Sequence, residues 1–141
     1  SVKKKTYLYK VFNRSTESFL IKNRSWFIPV DLNVEKMVQA SKKLIGKFDF
    51  NAFRSSDCQA KNSVRSIEKI IIKKKKDFIN FEISGRSFMH NQVRIIVGTL
   101  INIGKEILKI DEIEDILESK DRRMAGPTAP ACGLYLKKIR Y

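Results

Sequence analysis

The sequence predicts an α+β fold of the ferredoxin-like, split β-α-β-β-α-β type, an antiparallel sheet with helices packed on one face. Three observations carry this. Strand-like stretches, rich in aromatic and β-branched residues, stand near both ends of the chain. Two consecutive stretches in the middle read as the arms of a hairpin, the second with clear period-2 alternation. A helix-period pattern lies on each side of that hairpin, and no internal repeat or low-complexity segment interrupts the order.

Each element has its own justification. "TYLYKVF", Thr6 to Phe12, reads as the first strand. "ESFLIKNRSWFIP" is aromatic but irregular and is expected to lie extended against the sheet. Asn33 is placed to cap a helix over roughly Val34 to Ile45, with Met37, Ala40, Ser41 and Leu44 on one face and Gly46 as its stop. "SIEKIIIKKKK" and "DFINFEISGR" form the hairpin, with a break near Asp77. In its second arm Phe78, Asn80, Glu82 and Ser84 alternate with Ile79, Phe81 and Ile83. An apolar helix then runs from about Phe88 to Ile103, with Ser87 as a possible cap. A short acidic helix, "IDEIEDILES", follows, and Gly133 to Tyr141 closes the sheet.

Composition narrows the function. The 141 residues suit one domain, and a hydrophobic content of 43% is enough for a core. A formal net charge of +14 points to a polyanionic partner, with nucleic acid ahead of a membrane surface. A Lys-, Ile- and Asn-rich base composition is the plain alternative for that charge. No apolar run is long enough to span a bilayer, and none resembles a signal-peptide core. Cys58 and Cys132 form no CxxC pair, and His90 is the sole histidine, so no zinc-ligand set is expected. Reduced thiols in a cytoplasmic protein fit best. The chain enters a strand pattern within a few residues of Ser1, as a piece of a longer protein would.

One residue is out of place. Arg94 stands in "SFMHNQVRIIVGTLINIG", and a guanidinium is costly to desolvate without an anion. Its helical neighbours His90, Val97, Gly98 and Ile101 include no acid, and Gly98 leaves room for something to approach. Arg94 therefore either snorkels to the surface or meets a carboxylate or phosphate from elsewhere. Asp57, in "FRSSDCQ", reads as a loop-capping aspartate rather than a catalytic one. Ser87 and His90 would suit a hydrolase only weakly, without a GxSxG elbow. The run Lys73 to Lys76 is either a solvated hairpin end or a ridge facing phosphate. Tyr7 and Tyr9 share a strand face and would serve either the core or base stacking. "RRMAGPTAPACG" is either a linker or a loop whose small residues admit a close neighbour.

Four of these segments, in order, resemble the C-terminal part of the tRNA pseudouridine synthase A family. "KTYLYKV" is similar to its K/R-x-Y-x-Y strand and "KLIGKFDFNAFRSSDCQAKNSVRSI" to its DF-x-x-F-R segment. "FMHNQVRIIVGTLINIG" is similar to its VR-x-IVG-x-L helix, and "DRRMAGPTAPACGLYL" to its A-P-A-x-GL-x-L tail. The resemblance implies isomerisation of uridine to pseudouridine in the anticodon stem-loop of tRNA by a homodimer, without metal or organic cofactor. It implies that Tyr7 packs against the target base and helps remove the final proton. It further implies that Arg94 pairs with and orients the nucleophilic aspartate, and that Leu134 lines the uridine pocket. Arg54 joins them as a candidate substrate contact. The family's aspartate lies in a G-R-T-D-x-G-V-H type motif upstream of the tyrosine strand, and this sequence has no such motif. The chain is thus expected to be a C-terminal domain, inactive alone. A non-catalytic, basic RNA-binding module is the alternative.

Overall fold

The hairpin anticipated around Asp77 forms the middle of the sheet in the computed structural model, which describes residues 2–16 and 23–141. Its arms are β4 (Val64–Lys75) and β5 (Phe78–Gly85), joined through a tight turn in which Lys76 takes a positive φ of 55°. The other strands are β1 (Lys4–Asn13), β2 (Trp26–Ile28), β3 (Gly46–Asp49) and β6 (Leu134–Arg140). The helices are α1 (Val34–Lys42), α2 (Gln92–Gly104) and α3 (Glu112–Ser119).

The strand order is β2-β1-β5-β4-β3, with β6 also paired to β1. β5 occupies one edge of β1 along Lys5–Phe12, so β6 and β2 share the other, β6 along Lys4–Tyr9 and β2 along Val11–Asn13. The split β-α-β-β-α-β arrangement is therefore present, built on β1, α1, β4, β5, α2 and β6. The expectation of a purely antiparallel sheet is corrected. β1 and β2 run parallel, which makes the sheet mixed. The cause is local: Trp26–Ile28 adds to the sheet instead of lying against it. The residues 17–22 of that segment lie outside the described ones.

Period-2 alternation sets the two faces. Tyr9 and Val11 of β1, with Ile79, Phe81 and Ile83 of β5, are fully buried beneath the helices. The alternate residues, among them Leu8, Lys10, Asn80 and Glu82, stay partly exposed on the opposite face.

Among the boundaries that differ from expectation, three concern α1, α2 and β4. Asn33 does cap α1, accepting the Lys36 N–H at 3.1 Å, and Met37, Ala40, Ser41 and Leu44 are all buried. The helix nevertheless ends at Lys42, and Gly46, with φ 131°, opens the edge strand β3 instead of stopping α1. The apolar helix α2 begins at Gln92 rather than Phe88. Asn91 adopts a left-handed conformation, which asparagine tolerates, and Ser87 lies exposed outside the helix. β4 begins at Val64, earlier than the alternation suggests.

Nearly all of α2 is buried; Arg94 and Asn102 are its exceptions. A helix apolar on every side needs cover on every side. The sheet and α1 supply two sides. The segment from Ala125 to Gly133 supplies a third, and it does so at contact distance. A Cβ on Gly98 would sit 1.7 Å from the Pro127 carbonyl oxygen, and one on Gly126 would sit 2.6 Å from the Thr99 Cα. The room at Gly98 is filled by this chain's own loop. Its small residues admit a close neighbour, as one reading of the sequence anticipated, and that neighbour is α2.

Candidate active site

Where the first turn of α2 meets the N-terminal half of β1, the side chains leave a cavity of about 290 Å³. Tyr7, Phe88, His90, Asn91, Gln92, Arg94 and Leu134 are among its lining residues. Three residues singled out in the sequence, Tyr7, Arg94 and Leu134, are thus brought together from β1, α2 and β6. Strand pairing places Leu134 opposite Tyr9, with Tyr7 two residues further along β1. The Tyr7 ring stands edge-on to Phe88, with centroids 5.5 Å apart and planes at 85°.

Arg94 is half-buried and held by neutral groups. Its Nε donates to the Ala129 carbonyl at 2.7 Å, and its Nη1 donates to Asn91 Oδ1 at 3.0 Å. Among the described residues no carboxylate forms an ion pair with it, and Nη2 has no hydrogen-bond acceptor. The guanidinium does not snorkel freely, and among the described residues it meets no acid. It is oriented and partly desolvated.

The loop that holds it is itself fixed at several points. Ala129 N–H donates back to the Arg94 carbonyl at 3.0 Å, and Tyr9 Oη donates to the Pro130 carbonyl at 2.6 Å. Arg122 donates to the Gly126 carbonyl at 2.8 Å and to Thr128 Oγ1 at 3.1 Å. Gly126 N–H donates to the buried Thr99 Oγ1 at 2.9 Å. Burial, with the neighbouring Cys132 adding and Arg94 opposing, pushes the Tyr9 hydroxyl well above its ordinary value of 10.0. Although Tyr7 and Tyr9 share a face, Tyr9 is wholly enclosed and cannot stack on a base. Only Tyr7 opens into the cavity.

Arg54 lies behind the cavity rather than in its lining. Its Nη1 donates to the Ala60 carbonyl at 3.0 Å and approaches Met89 Sδ at 4.0 Å. The same segment braces the helix start, since Asn91 Nδ2 donates to Ser55 Oγ at 2.6 Å. The Ala60 backbone N–H directed at the Cys58 sulfur lowers that thiol's pKa, against the opposing effect of burial. Asp57 is exposed in a turn. Ser87 and His90 are both exposed, and among the described residues no hydrogen bond joins them. Both cysteines are free thiols. Among the described residues no group of His, Cys, Asp or Glu converges as a metal site, and no helix is long and apolar enough to cross a membrane.

A family model described as tRNA pseudouridine synthase matches residues 40–141. The chain belongs to that family. Proteins named tRNA pseudouridine synthase A are similar to it along its length. The one from Neorickettsia sennetsu is 45% identical over 135 residues, covering 96% of this chain and 55% of that protein. The one from Thermoanaerobacter sp. is 46% identical over 141 residues, covering 100% of this chain and 58% of the relative. That of Ehrlichia chaffeensis is 45% identical with the same two coverages. The chain therefore spans little more than half the length of these pseudouridine synthase relatives.

Within this family member, sequence reasoning passed over Phe88, Asn91 and Ala129. The apolar pattern puts Phe88 inside the helix, and only the later start of α2 frees it to face Tyr7. Ala129 acts through its backbone, which no residue identity announces. The signal for Asn91 was present: a short amide directly before an apolar helix is a frequent left-handed residue.

Proposed function

We propose that the protein of which this chain forms the C-terminal half isomerises uridine to pseudouridine in the anticodon stem-loop of tRNA. The observation that carries the reading is Arg94, a guanidinium held over a cavity by two neutral acceptors, with no carboxylate partner among the described residues. An upstream domain, absent from these 141 residues, supplies the nucleophilic aspartate as that missing anion.

Each residue then has a physical task. Arg94 pairs with the aspartate, holds its geometry and favours its ionised form, which is the nucleophilic one. The aspartate attacks the flipped nucleotide, and the bond from the ribose to the uracil nitrogen breaks. The base rotates and rejoins the ribose through carbon, and the bond between the aspartate and the nucleotide breaks, returning the free carboxylate. The proton leaves that uracil carbon, and the freed nitrogen regains one, so the reaction is an isomerisation without net redox change or cofactor. Tyr7 packs against the base and assists the final proton loss, and Leu134 forms the apolar floor. Arg54 contributes to substrate binding through the Met89 wall that it supports. Flipping the nucleotide costs a few kcal/mol, offset by stacking and by phosphate contacts to a basic surface. The working form is a cytoplasmic homodimer.

Release of tritium from C5-labelled uridine in tRNA tests this directly. The protein as its gene encodes it should release tritium, and residues 1–141 alone should not. Turnover by the isolated chain would overturn the assignment of the nucleophile to an upstream domain. RNA binding without turnover by the complete protein would favour a non-catalytic RNA-binding module.

A further inference from the structure

The sheet face turned away from α1, α2 and the Tyr7–Arg94 cavity carries a second set of features that the reaction does not use. Strand register lines them up in rows. Lys10 of β1 and Lys73 of β4 flank Asn80 of β5, one on each side. Two strand spacings put those lysines about 10 Å apart along the row. The next row toward the hairpin turn is Phe12, Phe78 and Lys75.

Two adjoining cavities, about 380 and 190 Å³, open on this face and share Asn80. Five lysines line them against two acids, Asp77 and Glu82. Glu82 is already paired with Lys137. Asn80, which the two cavities share, has its Oδ1 buried and, among the described residues, without a hydrogen-bond partner. Lys10 lies over the Tyr135 ring at 5.1 Å, which holds its ammonium on the face instead of letting it extend into solvent. Lysines that guard a sheet against aggregation belong on edge strands. Lys10 stands on β1, which has neighbours on both sides, whereas Lys73 and Lys75 lie on the stretch of β4 beyond β3 that pairs with β5 alone, an open edge on the same face as Lys10.

We propose that this open sheet face binds the sugar–phosphate backbone of RNA, as a contact surface separate from the pocket that receives the target nucleotide. The ammonium groups take phosphates. With Phe78 as the one ring lining these cavities, in the larger of the two, backbone contacts outweigh stacking, and recognition here is independent of sequence. The inference rests on the reading of the protein as one that acts on RNA. It adds where a remote part of that RNA is held.

The test compares Lys73→Glu/Lys75→Glu with Lys42→Glu/Lys105→Glu, an equal charge change on the helix side, in the protein as its gene encodes it. Binding to a tRNA transcript is measured across a salt series, alongside tritium release, sedimentation and thermal melting. The sheet-face variant should bind at least ~10-fold more weakly at moderate salt, with a log–log salt slope shallower by about 2, while kcat at saturating tRNA is kept. The helix-side variant should keep both affinity and slope. Equal losses in the two variants, or an unchanged slope in the first, would overturn the proposal. So would a changed sedimentation coefficient with an unchanged slope, which would assign this face to a second copy of the chain. RNA binding without tritium release in the parent protein would defeat the activity and leave this surface standing. Absence of RNA binding in the parent would defeat both.

Discussion

Arg94 and Ala129 hold each other twice. The Ala129 N–H donates to the Arg94 carbonyl at 3.0 Å, and the Arg94 Nε donates to the Ala129 carbonyl at 2.7 Å. The backbone of α2 and the guanidinium that it carries are thus tied to one residue of a loop. Whatever moves that loop moves the cation over the cavity.

Replacing Arg94 by Ala in the complete enzyme should lower kcat at least ~100-fold while tRNA binding is largely retained. Arg94→Lys keeps the charge but loses the forked donors, and should recover only part of the rate. Single-turnover tritium release beside equilibrium binding separates these effects. Unchanged turnover in Arg94→Ala would make the residue structural.

The seam between α2 and the loop should be equally sensitive. Gly98→Ala drives a methyl into the Pro127 carbonyl and should cost about 1–3 kcal/mol in denaturant unfolding. Thr99→Val removes the acceptor for the buried Gly126 N–H without adding bulk, and should cost about 1–3 kcal/mol. Both should reduce kcat more than their stability loss explains, because each releases the loop that orients Arg94.

Tyr9→Phe should cost about 0.5–1.5 kcal/mol near neutral pH through the lost hydrogen bond to Pro130. Its effect in alkali has the opposite sign. The Tyr9 pKa is raised in the folded state, so its stabilisation is complete below the unfolded value of 10.0 and is lost as pH climbs toward the folded one. Wild type should therefore lose more stability than Tyr9→Phe between about pH 8 and about pH 11, as read by urea midpoints.

At the other side of the sheet, Ser63 Oγ donates to Asp49 Oδ1 at 2.5 Å, and the Asn51 N–H donates to the same oxygen at 3.0 Å. The Ser63 bond is the largest cause of a depressed Asp49 pKa, opposed by burial. A depressed carboxylate stabilises the fold above its ordinary 3.8 and ceases to do so as pH falls through the folded value. Ser63→Ala should move the Asp49 titration, followed by carboxyl carbon NMR, back toward 3.8 and begin acid unfolding at a higher pH.

Much of this protein is written in short, contiguous patterns. Alternation in "DFINFEIS" specified β5 and its two faces, Asn33 marked the start of α1, and one cation in an apolar helix singled out Arg94, which lines a cavity in the fold. These signals survive in the sequence because each depends on residues a few positions apart. Tertiary structure decided the rest. It buried Tyr9 and opened Tyr7, although both face the same way, because Gly133 lies against the Tyr9 ring. It drew Arg54 behind Met89, turned Trp26–Ile28 into a parallel strand, and covered α2 with a loop whose contact point, Pro127, is far along the chain from Gly98. Contacts between residues so distant in sequence leave no local period, so only the folded chain could choose among them.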